Sequence, residues 1–473
     1  MTEHFHERLS ALDAIFLDLE SDNVPMHVGA ALVFDAKPLT LADGALDIDR
    51  IRSYTLTALE RIPRSRQRLE WVPGFRHPVW VDDDRFNINF HLRHTRLPLP
   101  GDERMLKRVV GRVFSQKLDR SRPLWEFWVV EGIDNEQFAL IAKAHHCMVD
   151  GVAGVGLLQE LLRFGPPEPD REPPAWSPRP ATSRLRLLRA ELKHRVDGLR
   201  ELAHFMPRLR KDAGGAIGVL QSGMKAGPQT VFTAEDLSPY RRFDWTTFEL
   251  KEVKAIKNAL GGTINDLVLA VVTTAVRRFL EARSVDVDGI RDFRAFLPVN
   301  IRKPGGGTIG NQVAMLLAEL PVFEPDPIER LSRIIAVTKA LKKESNQPAG
   351  AQLLEDLANM LTRQIILGIS REAIRRRAYS IVVTNVPGPP LELHMLGAPM
   401  KRIFPLVPIP PTQNLGVALF SYNGLLCWGF NADWERFPDV HEFVELLEAA
   451  LGEYRELARD VSGEARSATS SAG

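Results

Sequence analysis

The chain alternates between two hydrophobic periods, and the changes of period mark out its elements. Leu12, Ile15, Phe16 and Leu19 fall at helical spacing and predict a short helix, which Asn23-Val24-Pro25 ends before a strand that closes at Asp35. Leu46, Ile51, Tyr54, Leu56 and Leu59 predict a second helix, closed by Pro63. The runs from His77 (HPVWVDDD) and Asn87 (NINFHLRH) read as strands, and a helix is expected from about Glu103 to Lys117. Phe127–Val130 and Phe138–Ala144, joined by a polar turn, form a hairpin that runs into two adjacent histidines, His145 and His146. Alternating helices and strands of this kind build a layered α/β domain.

After Phe164 the pattern breaks. FGPPEPDREPPAWSPRP holds seven prolines in seventeen residues and reads as an extended connector. Residues 183–211 then return to helical period, with Leu185, Leu188, Leu192, Val196, Leu199 and Leu202 on one face and nine Arg or Lys residues mostly elsewhere. Two readings stand for this basic amphipathic helix: it packs on its own protein, or it lies on an anionic membrane surface. The second half repeats the α/β order. A strand and helix lead to Gly261-Gly262, and a long helix follows with Thr263 as N-cap and Asp266 at the capping-box position. FRAFLPVNIR, NQVAMLLAELPV and YSIVVTNVPGPP predict strands, and a hairpin turns at Asn423-Gly424. A final amphipathic helix is expected from Asp439 to about Leu457. The chain therefore divides into an N-terminal domain (1–164), a linker with the basic helix (165–235), a C-terminal domain (236–460) and a disordered tail (461–473).

Composition narrows the function. The 473 residues are 44% hydrophobic and 26% charged with a net charge of +1, so no basic field for nucleic acid exists. Two cysteines exclude a disulfide framework and a Cys-rich zinc site and fit a reducing compartment. The polar N-terminus lacks a signal peptide's apolar core, and no run reaches the ~20 apolar residues of a membrane span, which points to a cytoplasmic protein.

Neighbouring residues of a strand point to opposite faces, so only one of His145 and His146 can face a given pocket. That weighs against a shared metal ion, whose other ligands are also missing at suitable spacing. It weighs equally against a Cys147–His146 nucleophile pair. What remains is one histidine as a general base, set against two satisfied core histidines. Neutral imidazole, with a reference pKa of about 6.5, accepts a proton from a hydroxyl at neutral pH. Asp150 has two structural roles open to it, capping the helix that begins near Gly151 or holding the elbow through a buried arginine.

HHCMVDG matches the HHxxxDG signature of the CoA-dependent acyltransferase superfamily. LDAIFLDLES with PMHVG, Pro123-Leu124-Trp125-Glu126, Asn265-Asp266, Pro298–Arg302 and Thr384–Pro389 stand in the order of the bacterial wax ester synthase/diacylglycerol acyltransferase family, which the chain resembles from about Leu9 to Leu457. LSPYRRF (237–243) departs from it, lacking the Asn- and Gly-containing segment usual before the central arginines. The resemblance implies two similar chloramphenicol-acetyltransferase-like α/β domains, each a mixed sheet with helices, and a tunnel between them. By position, His146 is the general base that activates a long-chain alcohol or diacylglycerol for direct attack on an acyl-CoA thioester. His145 and Asp150 support it, and Asn265, Thr384 or Asn385 donate to the oxyanion from the second domain, with Asp266 beside them. Trp125 belongs to a turn thought to shape the approach. Long-chain acyl-CoA is then a substrate, and neither cofactor nor metal is expected. The inner face of the membrane or a lipid inclusion is the surface such an enzyme would attach to. A condensation domain acting on carrier-bound thioesters and a non-catalytic lipid or CoA binder are the rival readings.

Overall fold

A computed structural model describes residues 5–148, 160–165, 171–173, 175–197, 225–300, 313–345 and 363–470. Among these, the strands form two six-stranded mixed sheets and one small three-stranded sheet. The first large sheet runs, edge to edge, through His394–Met395, Ala398–Leu406, His27–Asp35, Gln137–His145, Trp125–Ile133 and Leu92–Arg96. Only its last pair is parallel. The second runs through Val313–Glu319, Arg294–Asn300, Ile381–Pro387, Leu415–Tyr422, Leu425–Asp433 and Arg241–Glu249, with Ile381–Pro387 parallel to both neighbours. Helix Ile264–Glu281 covers one face of this sheet and is buried from Asp266 to Val276. Its N-terminus carries the expected capping box, Thr263 and Asp266 satisfying each other's backbone N–H.

The sheets do not follow the halves of the chain. Ala398–Leu406 lies beyond residue 236 yet pairs antiparallel with His27–Asp35, from Met400 opposite Phe34 to Leu406 opposite Gly29. Its other contacts reach the second sheet. Phe404 stacks on Trp245 at 4.4 Å, and Tyr422 donates from its hydroxyl to the Met400 carbonyl at 2.9 Å. Gly429 comes so close to this strand that a Cβ there would sit 1.9 Å from the Pro405 carbonyl oxygen. Polar contacts add to the joint. Lys107 Nζ lies 2.6 Å from Asp244, and the Arg241 backbone N–H donates to Ser115 Oγ at 2.8 Å. The Arg241 guanidinium, buried beside Asp433, reaches back to the Asn23 carbonyl.

Four segments differ from their sequence pattern. NINFHLRH is not one strand, because the Asn87 side chain caps Asn89 N–H and starts the short helix Ile88–His91 before the strand Leu92–Arg96. The final helix continues from Val440 to Ser470, well past Leu457. Apolar spacing ends there, but Glu464, Ala465, Arg466 and Ala468 are favourable helix residues, and the tail expected to be disordered from 461 is helical as far as Ser470. The proline connector is strapped to the first half, since Arg179 makes a two-pronged bond to Asp82 at 2.8 Å and Trp176 donates to the Asp83 carbonyl. In the basic helix, described over 184–197, the expected apolar face points outward. Leu187 and Glu191 are buried, while Leu185, Leu192 and Val196 are 69%, 47% and 47% exposed. Leu187 fills a cluster with Val72, Val79 and Val81, and Arg8 and Arg195 hold Glu191. Leu199 and Leu202 lie outside the described residues.

Gly429→Ala forces apart two strands that belong to different sheets. It should cost about 1–3 kcal/mol, at the high end for an overpacked site. Thermal unfolding of the variant beside the parent protein measures the loss.

Candidate active site

The hairpin of Trp125–Ile133 and Gln137–His145 ends where its second strand runs out of partners. His145 is the last residue of that strand, opposite His27, and its N–H donates to the Leu124 carbonyl at 2.9 Å. One residue later the chain turns into a short helix, His146–Met148, and the His146 N–H donates to the Met26 carbonyl at 2.8 Å. The two imidazoles therefore part company, as expected, but the cause is the turn and not strand alternation.

His145 is fully buried. Its Nδ1 accepts from the Cys147 N–H at 3.1 Å, which assigns the ring proton to Nε2. That nitrogen lies 3.4 Å from Glu20 Oε1, and His27 Nε2 lies 3.5 Å from the same oxygen. Arg120 completes the cluster, its Nε and Nη2 donating to Glu20 Oε2 at 3.0 and 2.7 Å. Burial alone would push the Glu20 carboxyl up, but His145, Arg120 and His27 together bring it down from 4.5 to about 2. Burial drives His27 well below the usual imidazole value, helped by Lys143 and His145. Glu20 is thus a buried anion that fixes three segments of chain to one another.

His146 stands apart from that cluster. It is half-buried, and its ring stacks on Phe16 with centroids 3.7 Å apart and planes 17° from parallel. Burial of the ring, with His145 beside it, lowers its pKa from 6.5 to about 4, so the imidazole is neutral at pH 7. Phe16 in turn packs against an apolar cluster of Val24 and Met26 from the first half with Leu237 and Ile409 from the second. One aromatic ring therefore separates His146 from residues of the other half. Cys147 is buried with its thiol pushed well up, which disables it as a nucleophile at neutral pH.

The second-half residues divide. Asn385 Nδ2 donates to Asn265 Oδ1 at 2.7 Å, so the Asn265 amide nitrogen, which has no hydrogen-bond partner among the described residues, keeps its two donors. Ile381 and Val383 share the Asn385 face of their strand and pack on the core beneath helix Ile264–Glu281. Thr384 points to the opposite face, so only Asn385 meets Asn265. Asp266 is buried and occupied, accepting from Thr263 and from the Thr338 hydroxyl at 2.6 Å. Pro123, Leu124 and Trp125 are buried. Trp125 Nε1 donates to the Ser65 carbonyl at 2.7 Å, and its own carbonyl accepts from His91. Asp150 and Gly151 lie outside the described residues. Among those residues no group of three or more His, Cys, Asp or Glu is placed to hold a metal ion. Phe16, Glu20 and His27 stand within the LDAIFLDLES and PMHVG motifs, but the motifs do not mark their place at the site, and Arg120 carries no sign at all. The one signal is that an acidic residue at the end of a helix opposes the helix dipole and needs a partner.

The two mixed sheets have the fold shared by wax ester synthase/diacylglycerol acyltransferase and condensation-domain structures. The first condensation domain of the CDA synthetase superposes with a TM-score of 0.52 at 15% identity over 97% of each chain, a likeness of fold alone. The family model described as the wax ester synthase/diacylglycerol acyltransferase catalytic domain matches residues 9–268, and the C-terminal domain of the same family matches 309–455. A putative diacylglycerol O-acyltransferase of Mycobacterium tuberculosis is 31% identical over 96% of this chain and 91% of its own. The O-acyltransferase WSD of Acinetobacter baylyi is 28% identical over 94% and 96%. The solved wax ester synthase/diacylglycerol acyltransferase from Marinobacter aquaeolei VT8 gives a TM-score of 0.68 at 26% identity, over 95% of this chain and 99% of that one. The chain belongs to the wax ester synthase/diacylglycerol acyltransferase family and is an acyltransferase.

Glu20→Gln keeps the shape and removes the charge. A carboxyl held below its ordinary value stabilises the fold above about pH 4.5, and that contribution is lost as pH falls toward 2. The variant should be less stable at pH 7 by roughly 1–3 kcal/mol, with a flatter loss of stability across that acid window. Denaturant titrations at several pH values measure both effects.

Proposed function

We propose that the chain transfers a long-chain acyl group from acyl-CoA to the hydroxyl of a diacylglycerol or a fatty alcohol, yielding triacylglycerol or wax ester. The observation that carries this reading is His146, a neutral, half-buried imidazole one ring away from the second half. Its role is general base. It takes the proton of the acceptor hydroxyl as the oxygen attacks the thioester carbonyl, and returns a proton to the departing thiolate of CoA. The tetrahedral oxyanion needs donors already in place, and the Asn265 amide, fixed by Asn385, supplies them. Family membership and the names of the relatives support the acyl donor and both acceptors. A tunnel between the two sheets is part of this reading, so that donor and acceptor enter from different sides. Asp150 keeps its structural role at the elbow.

Such acceptors partition into lipid, and helix 184–197 suits that surface. Leu185, Leu192 and Val196 face outward among Arg184, Arg186, Arg189 and Lys193, all exposed. Apolar insertion with surrounding cations matches an anionic bilayer or inclusion surface. No single described helix is long and apolar enough to cross a membrane.

Incubation with palmitoyl-CoA and either hexadecanol or a diacylglycerol tests the reaction. Thiol release that depends on the acceptor supports it; binding without release, or acylation of amines alone, would replace it with one of the rival readings. His146→Ala should abolish turnover with Tm unchanged, whereas Asn265→Ala should lower kcat about 10²-fold, as loss of one oxyanion donor does. The acid limb of kcat/KM should lie near pH 4, because the base is neutral above that value. Leu185→Glu with Leu192→Glu should release the protein from phosphatidylglycerol vesicles in a flotation assay, and unchanged flotation would remove the helix from the reading.

A further inference from the structure

A catalytic imidazole is ordinarily oriented by the bond that its second nitrogen makes. In His146 the second nitrogen, Nδ1, is buried and, among the described residues, has no hydrogen-bond partner beyond its own residue. The contact that the ring does make is the parallel stack on Phe16 at 3.7 Å. Phe16 cannot drift, since its helix, Ala11–Leu19, is fixed at both ends. At the start, Ser10 accepts the Asp13 N–H at 3.0 Å. At the end, Glu20 is held by Arg120, which also donates to the Leu17 carbonyl at 2.9 Å. The ring also packs against the cluster of Val24, Met26, Leu237 and Ile409.

We infer that Phe16 is a positioning residue of His146: its ring pins the imidazole plane and shields one face from water, while Glu20 and Arg120 keep the helix that carries it in register. This rests on His146 being the general base. Stacking on Phe16 sets the plane of the ring from outside its own residue. Its consequence is electrostatic as well as steric. Among the described titratable groups, His145 is the one that bears on His146. Asp13, on the same helix, and Glu20 and Arg120 bear on Cys147, and His27 faces Glu20. Opening the Phe16 face to water therefore relieves the desolvation that holds His146 down, and its pKa rises toward the ordinary imidazole value.

Phe16→Leu keeps an apolar side chain in the cluster and removes the stack, and Phe16→Met is read the same way if the leucine variant does not fold. The comparison is Leu19→Ala, in the same apolar cluster but not stacked on His146. With palmitoyl-CoA and hexadecanol, Phe16→Leu should lower kcat about 10- to 100-fold, the scale of a misplaced reacting group, with KM for acyl-CoA little changed. The acid limb of its pH profile should move upward from near pH 4. Leu19→Ala should lose Tm and leave the acid limb in place. Parental kcat and acid limb in Phe16→Leu, or an equal shift of the limb in Leu19→Ala, would overturn the inference. Full turnover by His146→Ala would instead overturn the general-base reading on which it rests.

Discussion

The strand Ala398–Leu406 is the constraint on which the two halves depend. It hydrogen-bonds along one edge into the first sheet and presses Phe404 and Met400 onto Trp245 and Tyr422 of the second. A strand that serves both sheets removes the freedom of either to turn against the other. The close passage of Gly429 over Pro405 shows how little room was left. The polar joints at Lys107–Asp244 and Arg241–Asn23 lie on the same seam, where burial makes them strong only because each charge has a partner.

Along this seam the proposed chemistry takes shape. His145 and His146 sit at a strand end in the first sheet, and Phe16 joins them to side chains from beyond residue 236. The charge is kept away from the reacting nitrogen. Glu20 gathers Arg120, His145 and His27 into one satisfied cluster, and His146 is left neutral next to it. An anion bonded to the base itself would have raised its pKa and brought water in. Here the anion acts at one remove, by holding the helix that carries Phe16.

Much of the architecture was legible because local chemistry wrote it. Thr263 with Asp266, the turn at Asn423-Gly424 with both residues at positive φ, and the hairpin leading to His145 were read from spacing alone. The elements that misled did so for physical reasons. In NINFHLRH a single asparagine cap overrode strand-like composition, and in 184–197 the side that docks is set by Leu187 and Glu191, which no count of apolar residues favours. A buried glutamate looks like a solvent-facing one until Arg8 and Arg195 are found around it.

By itself the sequence determined the order of helices and strands, the pairing of histidines at a strand end, and the family motifs that carry the resemblance. Those are local properties: periodicity, capping and turn preference act over a few residues. Only the tertiary structure decided that residues 398–406 complete the first sheet, that Asn385 and not Thr384 meets Asn265, and that Phe16 and Glu20 belong with His146 and His145. Each of these joins residues more than a hundred positions apart, where nothing in the local pattern records the partner and only packing brings the two together.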